Sequence, residues 1–321
     1  MMNTQDEICV VILNYNGLEH LKYCIPSFMQ TSYPFLKIVV VDNGSKDVSK
    51  NWLRNNYPQV RVIELDKNYG WSGGNNKGIR KCLSEYNPAY FLIANNDIRV
   101  DPRWAEQAVA AIKKNARTGL VGFNVIGWGK KGDIHAFEEN VAHWRSLCIE
   151  ETNNIPGCAL FVSRSVFESI GLFDEGFFAY GEENDFERRA LMAGYTMVKI
   201  NVPVWHYCEG SFSRIPFRAS LLAMRAEIRL AIKYGGCARK LMSLFNICCN
   251  PFLKLDTSVS STRRLRPANP AVNMFLLAWA FIWNMFNLPA TIQRRRHDFK
   301  RAEAARQKIG IHAPITNAIH A

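Results

Sequence analysis

Two clusters of polar and acidic side chains, far apart in the sequence, could together act on a phosphate ester. The first follows an apolar run and consists of Asn95, Asn96 and Asp97. The second is acidic and consists of Glu182, Glu183 and Asp185. A histidine, His206, follows the next apolar run. Carboxylate and imidazole groups are ligands for a divalent ion, which can also bind the oxygens of a diphosphate leaving group. These residue types predict chemistry on a phosphate-ester substrate.

The first two thirds of the chain contain the elements that must position these side chains. Short runs rich in Val and Ile alternate with polar segments that are long enough to form helices. The runs are Ile8 to Leu13, Leu36 to Val41, Val60 to Leu65 and Tyr90 to Ala94. This alternation predicts an α/β fold with a mostly parallel sheet flanked by helices. In such sheets ligands bind at the carboxyl ends of the strands.

Small polar residues follow three of the predicted strands. They are Asn14-Tyr15-Asn16-Gly17, Asp42-Asn43-Gly44-Ser45 and Asn95-Asn96-Asp97. The first of these turns lacks the GxGxxG pattern of dinucleotide-binding folds, which argues against an NAD enzyme.

The last third of the chain carries the whole basic excess. The net charge is +12, and residues 217–321 hold 17 Lys and Arg against 4 Asp and Glu. Such an excess fits either nucleic acid or an anionic membrane surface. An uncharged run rich in Phe and Trp, Met274 to Ile292, lies in the same region. Nucleic-acid-binding arms lack such runs, so we expect an anionic membrane surface as the partner and no nucleic acid.

The apolar run has about the minimum length for a membrane span, roughly 20 residues. Asn284, Asn287 and Pro289 interrupt its second half. Arginine clusters flank both ends: Arg263, Arg264 and Arg266 before it, and Arg294, Arg295 and Arg296 after it. The positive-inside rule then favours an in-plane or re-entrant helix. A spanning helix and a soluble core helix remain alternatives.

Several sequence motifs occur in the order found in one enzyme family. They are VVILNYNG, VVVDNGSKD, KNYGWSGGNNKGI, FLIANND, GCALFVSRSVFESIGLFDEGFFAYGEENDFERRALMAGY and the histidine of VWHYCEGSFSR. With these motifs the chain resembles the family 2 glycosyltransferases of the GT-A fold, particularly the bacterial rhamnosyltransferase-like branch. The resemblance runs from about Ile8 to about Tyr234. It implies a GT-A catalytic domain over residues 1–216, with donor-binding and acceptor-binding parts of about 1–97 and 98–216. Residues 217–321 would form a helical membrane-associating extension.

The resemblance also implies a role for individual residues at the donor site. Tyr15 would stack on the nucleotide base, and Asp42 would accept hydrogen bonds from the base or ribose. Further contacts to the nucleotide sugar would come from Asn14, Asn16, Asn43, Gly73, Gly74, Asn75, Asn76, Asn95 and Asn96.

The same resemblance implies a metal ion and a catalytic base. Asp97 would be the principal carboxylate ligand of Mg²⁺ or Mn²⁺, because Asn96 stands where many members have a second acid. His206 would be a second ligand or would contact the diphosphate. Glu183 would remove the proton of the acceptor hydroxyl, with Glu182 as its competitor, and Asp185 would belong to the same catalytic cluster.

We therefore expect an inverting glycosyltransferase that uses a nucleoside diphosphate sugar. Its acceptor would be a hydroxyl of a glycan or lipid-linked glycan in cell-surface glycan synthesis. With no signal peptide in the sequence, we expect the enzyme at the cytoplasmic face of the inner membrane, as a peripheral or monotopic protein. The alternatives are a nucleotidyltransferase and a catalytically silent scaffold of the same fold.

Overall fold

A single mixed sheet positions the candidate site. The computed structural model describes residues 6–127, 134–208, 216–236, 238, 241–242 and 269–311, and within them the sheet has nine strands. The strands are β1 (Ile8–Asn14), β2 (Leu36–Asp42), β3 (Arg61–Glu64), β4 (Tyr90–Asn95), β5 (Ile98–Val100), β6 (Thr118–Ile126), β7 (Ile149–Glu151), β8 (Ala159–Ser163) and β9 (Thr196–His206). Parts of the predicted acceptor region, residues 128–133 and 209–215, and the cluster Arg263, Arg264 and Arg266 lie outside the described residues.

Helices cover both faces of the sheet. They are α1 (Leu18–Met29), α2 (Ser49–Asn56), α3 (Gly70–Glu85), α4 (Trp104–Lys113), α5 (Ile134–His143), α6 (Arg164–Ile170), α7 (Glu182–Met192), α8 (Pro216–Tyr234), α9 (Pro270–Phe286) and α10 (Leu288–Lys308).

The amino-terminal half of the sheet is parallel. β1 pairs with β2 and β4, and β2 pairs with β3. The register sets Asn14 opposite Asp42 and Leu13 opposite Asn95, so the polar strand ends meet at one edge of the sheet. β1 is buried on both faces, which explains its uninterrupted apolar sequence.

The second half of the sheet is mixed, so the parallel pattern does not extend to all of it. β8 is antiparallel to β4 and β6, whereas β9 is parallel to β6 and antiparallel to β5 and β7. The pairing of β5 with β9 sets Ile98 opposite His206. This register brings His206 beside Asp97, which immediately precedes β5.

Residue 216, the predicted domain boundary, does not separate two apolar cores. Ala226 and Leu230 of α8 and Ala302 of α10 share one buried cluster with Phe177 and Phe186 of the α7 region. Helices α8 and α10 are therefore packed into the same unit as the sheet.

Helix α9 has one buried face and one exposed apolar face. Leu276, Leu277 and Ala280 pack against α8. The opposite side carries large apolar side chains, with Phe275, Trp279 and Phe286 exposed by 66%, 51% and 84%. Among the described helices, none is by itself long and apolar enough to cross a membrane. Only α9 and α10 taken as a pair pass that test, and they are bent by 65°.

Candidate active site

Asn14 is the centre of a buried network that joins the ends of β1, β2 and β4. Its Nδ2 donates to Asp42 Oδ1 at 3.3 Å and to Ser49 Oγ at 3.0 Å. Its Oδ1 accepts a hydrogen bond from Asn96 Nδ2 at 2.7 Å. Gly17 makes room for this contact, because a Cβ there would overlap Asn96. The structure thus brings together Asn14, Asp42 and Asn96, and their binding of a nucleotide stays a prediction.

The two residues after Asn14 form the turn beside this network. Tyr15 is half-buried, and Asn16 is exposed in the left-handed region with a φ of 50°. The Asn16 amide donates to Ser45 Oγ at 2.9 Å, and Asn16 Oδ1 accepts from the Lys46 amide at 2.7 Å. These bonds hold the β1 turn against the β2 turn, so Tyr15 and Asp42 lie at adjoining strand ends, as a shared nucleotide site requires.

Asn43 fastens the start of α3 to the end of β2. Its Nδ2 donates to the Gly70 carbonyl at 3.0 Å, and its Oδ1 accepts from the Tyr69 amide at 2.9 Å. Gly73 and Gly74 lie inside the first turns of α3 rather than in a loop. A Cβ at Gly74 would overlap Leu13, so this glycine lets α3 pack closely against β1.

The two asparagines that follow point into the protein. Asn75 Nδ2 donates to the Trp71 carbonyl at 3.0 Å. Asn76 Nδ2 donates to the Phe173 carbonyl at 3.0 Å, and its Oδ1 accepts from the Phe173 amide at the same distance. Because both polar groups of Asn76 bind the 173–175 segment, its contacts indicate a positioning role instead of the predicted donor contact.

Asp97 and His206 form a buried pair. Asp97 Oδ1 lies 3.2 Å from His206 Nε2, and His206 Nδ1 lies 3.1 Å from Cys208 Sγ. Burial favours the neutral carboxyl, but the charge and hydrogen bond of His206 outweigh it and lower the pKa of Asp97. Burial likewise opposes the imidazolium, yet Cys158 and Asp97 raise the pKa of His206 well above its ordinary range.

This pair has the donor atoms for a divalent metal. Asp97 Oδ2 is buried and has no hydrogen-bond partner within the described ranges. Asp97 Oδ2 is therefore available to a cation, and Mg²⁺ or Mn²⁺ accepts a carboxylate oxygen and a neutral imidazole nitrogen alongside phosphate oxygens. His206 Nε2 would bind the ion in exchange for its contact with Asp97 Oδ1. The residues fit the predicted metal, with Asp97 and His206 as its protein ligands.

Aromatic side chains that the sequence analysis did not single out surround Asp97. The Tyr207 amide donates to the Asp97 carbonyl at 3.0 Å. His20 Nδ1 lies 2.6 Å from Tyr23 Oη, and the His20 ring lies 5.5 Å from that of Tyr207. Burial first, and then the charge of Asp97, raise the pKa of Tyr23. In the sequence, the position of Tyr207 next to His206 was the signal that aromatic residues would lie near Asp97.

The predicted base lies at the start of α7. Tyr180 and Gly181 both have positive φ, 70° and 77°, and they turn the chain sharply into the helix. Glu182 is buried, whereas Glu183 is half-buried and therefore more accessible. The helix dipole favours carboxylates at this end.

Residues 157 and 158 connect the acids of α7 to the strand-end site. A Cβ at Gly157 would lie 3.4 Å from Cβ of Glu183. The next residue, Cys158, accepts a hydrogen bond from the Asn95 amide at 3.0 Å. Trp71 adds a second link, because its Nε1 donates to Asn95 Oδ1 at 3.1 Å. Glu183 therefore lies across a small-residue turn from the residues of the donor side.

Asp185 belongs to a buried ion cluster, which corrects its predicted catalytic role. It is fully buried, its Oδ2 accepts from Arg189 Nε at 2.8 Å, and its Oδ1 binds Lys233 Nζ. Tyr234 Oη donates to the same Oδ1 at 2.8 Å. With its oxygens bound in this way, Asp185 positions α7 and does not face an acceptor.

The cluster also argues against a second metal site, in which Asp174, Asp185 and Asp298 would hold an ion. These carboxylates lie within 4.8 Å of one another. Lys233 Nζ lies among them, 3.0 Å from Asp174 Oδ2 and 2.8 Å from Asp298 Oδ2. Arg229 and Arg294 supply further positive charge. An ammonium group already fills the position that a cation would take.

A family model described as "Glycosyl transferase family 2" matches residues 9–171. The matched range includes the strand-end network and Asp97, and it ends before α7. Among solved structures, S. aureus TarS is similar to this chain with a TM-score of 0.51 and 13% identity, over 94% of this chain and 55% of that one. This likeness concerns the fold, and it confirms the predicted sheet flanked by helices.

Two relatives of known name align with the chain. A low-salt glycan biosynthesis hexosyltransferase of Haloferax volcanii is 28% identical over 58% of this chain, and the alignment covers 62% of the relative. An N-acetylglucosaminyl-diphospho-decaprenol L-rhamnosyltransferase of Mycobacterium tuberculosis is 25% identical over 72% of this chain and 86% of the relative. The chain thus spans less than two thirds of the Haloferax relative and more than four fifths of the mycobacterial one.

Proposed function

The chain belongs to glycosyl transferase family 2, and we propose that it transfers a hexosyl or rhamnosyl group from a nucleoside diphosphate sugar, with inversion, to a hydroxyl group of a glycan acceptor. One observation carries this proposal. Glu183 lies against Gly157, and the next residue, Cys158, is hydrogen-bonded to Asn95 beside Asp97. A base and a diphosphate-binding pair on two sides of one turn suit a displacement at the carbon between them.

The donor side would hold the nucleoside diphosphate. Tyr15 and Asp42 would contact the nucleoside, and Asp97 and His206 would hold Mg²⁺ or Mn²⁺. When bound, the ion neutralises the charge that develops on the leaving diphosphate. The buried Asp97 Oδ2, which has no partner among the described residues, supports this assignment.

Glu183 would act as the general base. Its carboxylate removes the proton of the acceptor hydroxyl, and the oxygen forms a bond to the anomeric carbon. The bond from that carbon to the diphosphate oxygen breaks at the same time, and the nucleoside diphosphate leaves from the opposite face. Inversion of the anomeric centre follows. Glu182 is more deeply buried, so it is the second choice for this role.

The acceptor is proposed from the relatives. The names of both relatives describe sugar transfer, and the mycobacterial relative is named for an acceptor linked to decaprenol through a diphosphate. We extend this class of acceptor, a lipid-linked glycan of cell-surface glycan synthesis, to the present chain.

A lipid-linked acceptor requires contact with a membrane. The exposed face of α9, with Phe275, Trp279 and Phe286, would lie in the interfacial layer of the bilayer. Anionic lipid is the favoured surface, because residues 217–321 hold 17 basic side chains against 4 acidic ones. Arg229 and Lys233 are buried against acids, but Arg295, Arg296 and Lys300 of α10 are exposed. The proposed location is the cytoplasmic face of the inner membrane, as a peripheral or monotopic protein.

Nucleoside diphosphate release tests the reaction. The full-length protein is incubated with UDP-, GDP- and dTDP-sugars, with Mn²⁺ or with EDTA, and the anomeric configuration of the product is read by NMR. We expect Mn²⁺-dependent release from one donor class and an inverted product. Asp97→Asn should lose Mn²⁺-dependent donor binding, whereas Glu106→Gln, an exposed acid on α4, should not. Failure to turn over any donor would favour a silent scaffold, and a retained configuration would contradict the mechanism.

A further inference from the structure

A cavity of about 660 Å³ lies between α8 and the bend that joins α9 to α10. It is separate from the strand-end network. Its lining combines cationic and apolar side chains, among them Phe178, Arg218, Leu221, Arg225 and Trp283. Two carboxylates, Asp174 and Glu175, also line it, and both are paired with basic side chains. A volume of this size can hold a small organic ligand.

Arg225 supplies the cavity with a cation that no acid of the described residues neutralises. Two other arginines of the wall are paired: Arg229 is bound to Asp174 at 3.0 and 3.1 Å, and Arg294 binds Asp298 at 2.8 Å. Arg225 forms no ion pair in the part of the chain that the structure describes, and its Nε is buried there without an acceptor.

Aromatic packing holds the Arg225 guanidinium in place. It lies 4.9 Å from the centre of the Trp283 ring. Arg218, on the same helix, lies 5.4 Å from the Phe178 ring at another wall of the cavity. A guanidinium group positioned in this way presents a planar set of donors that matches the oxygens of a phosphate.

Two of the lining residues belong to different parts of the molecule. Trp283 belongs to α9, whose exposed side carries Trp279 and Phe286. Phe178 belongs to the segment that leads into α7, and its carbonyl accepts a hydrogen bond from the Trp71 amide at 2.6 Å. A ligand in the cavity would therefore contact α9 on one side and the segment that precedes α7 on the other.

We propose that this cavity binds the diphosphate of a polyisoprenoid-linked acceptor, with Arg225 and Arg218 contacting the phosphate oxygens and the isoprenoid chain lying along α9. The inference rests on the proposed function, since it assumes a lipid-linked acceptor. It adds the site at which the anionic part of that acceptor is recognised, and it gives a function to the packing of α8 against α9.

Binding of farnesyl diphosphate, a short soluble isoprenoid diphosphate, tests the proposal without any sugar donor. Calorimetry with the full-length protein should show tighter binding of farnesyl diphosphate than of farnesol or inorganic pyrophosphate. Arg225→Gln should weaken binding by roughly 10-fold to 100-fold, because a hydrogen bond to a charged group is worth about 1.5–3 kcal/mol. Arg117→Gln, which removes an exposed arginine far from the cavity, should bind like wild type.

Further measurements define the results that would overturn the proposal. Thermal unfolding establishes that Arg225→Gln is folded, and Arg218→Gln provides a second variant if it is not. Equal affinities of wild type and a folded Arg225→Gln protein would overturn the proposal, as would equal affinities for pyrophosphate and farnesyl diphosphate. Displacement by UDP with Mn²⁺ would assign the ligand to the donor site and overturn it too. Because no transfer is measured, these results are independent of whether the proposed reaction occurs.

Discussion

Glu182 and Glu183 are neighbours in sequence, but they differ in access to an acceptor. Glu183 is half-buried against Gly157, whereas Glu182 is only 6% exposed. Glu183→Gln keeps the shape and hydrogen bonding of the side chain and removes its basicity. We expect kcat to fall by about 10² to 10⁴-fold, the usual effect of losing a general base, with donor affinity nearly unchanged.

Glu182→Gln is the matched control for that measurement. If Glu182 only positions the start of α7, its variant should lose less of kcat under saturating donor. Near-normal turnover of Glu183→Gln beside an inactive Glu182→Gln would move the base by one residue. Normal turnover of both variants would contradict the inverting mechanism proposed for this site.

Glu187, one helical turn beyond Glu183, makes the stability of the folded protein depend on pH. Burial raises the pKa of its carboxyl well above the ordinary value, although the Ile155 amide donates to it at 2.7 Å, and the charge of Glu183 raises the pKa further. A carboxyl whose pKa is higher in the folded state than in the unfolded state binds a proton on folding. Stability is therefore greatest below the unfolded pKa, about 4.3, and falls as the pH rises above it.

Glu187→Gln should remove this pH dependence, because the amide imitates the protonated acid and still accepts from the Ile155 amide. We expect the variant to be more stable than wild type at pH 8, by about 1.4 kcal/mol for each unit of raised pKa, and equal to it near pH 4. Urea unfolding at both pH values measures the difference. A constant difference between the two proteins would show that Glu187 does not titrate on unfolding.

Sequence reasoning predicted the proximity of residues at strand ends better than the contacts of residues on helices. Asp97 and His206 were predicted as one site, and they lie 3.2 Å apart. Asp185 looked like part of a catalytic cluster because its sequence neighbours are acidic. One of its partners, Arg189, lies on the next turn of α7, but the other two, Lys233 and Tyr234, lie 48 and 49 residues away, and no local pattern marks a lysine that will be buried. Asn76 likewise binds a segment 97 residues further along the chain.

At the level of elements, the ion cluster joins α7 to α8 and α10. Lys233 is fully buried and contacts Asp174, Asp185 and Asp298. Lys233→Met keeps the apolar volume but leaves carboxylates buried with less positive charge. Removing one partner of a buried ion pair costs about 3–5 kcal/mol, and we expect a loss of that order in urea unfolding. Lys300→Met, an exposed position on α10, should change stability by less than about 0.5 kcal/mol.

A loss below about 1 kcal/mol for Lys233→Met would mean that the helices are held mainly by apolar packing.

The cluster also bears on the predicted domain boundary at residue 216. The charge of the sequence changes sharply there, from balanced to basic, and this change suggested the boundary. Several of the basic side chains beyond that point, including Arg229 and Lys233, are in fact buried against acids of the catalytic part.

The parallel strands could be predicted because of their burial. β1, β2 and β4 are buried on both faces, so their apolar runs stand out from the sequence. The direction of β8 and the pairing of β9 with three neighbours depend on long-range contacts, which a run of Val and Ile does not reveal.

For the molecule as a whole, α9 presents an apolar surface that adjoins a strongly basic region. Trp279, Ile282 and Phe286 are exposed, whereas Leu276 and Leu277 of the same helix are buried against α8. Replacing the three exposed residues by Ser should therefore spare the packing of α9. Full burial of each such side chain is worth about 1.5–3 kcal/mol, so even partial insertion predicts a loss of vesicle affinity of at least about 100-fold.

Sedimentation with anionic vesicles measures this loss. Val48→Ser, which changes an exposed apolar residue outside residues 217–321, is the control and should bind like wild type. Salt separates the two contributions. Electrostatic attraction is screened over about 8 Å at physiological ionic strength, so wild-type binding should weaken as salt is raised. Vesicles without anionic lipid should bind weakly at all salt concentrations, because only the apolar contribution remains. Binding that is independent of salt and resists carbonate extraction would instead require α9 and α10 to enter the bilayer together, as a re-entrant or spanning pair.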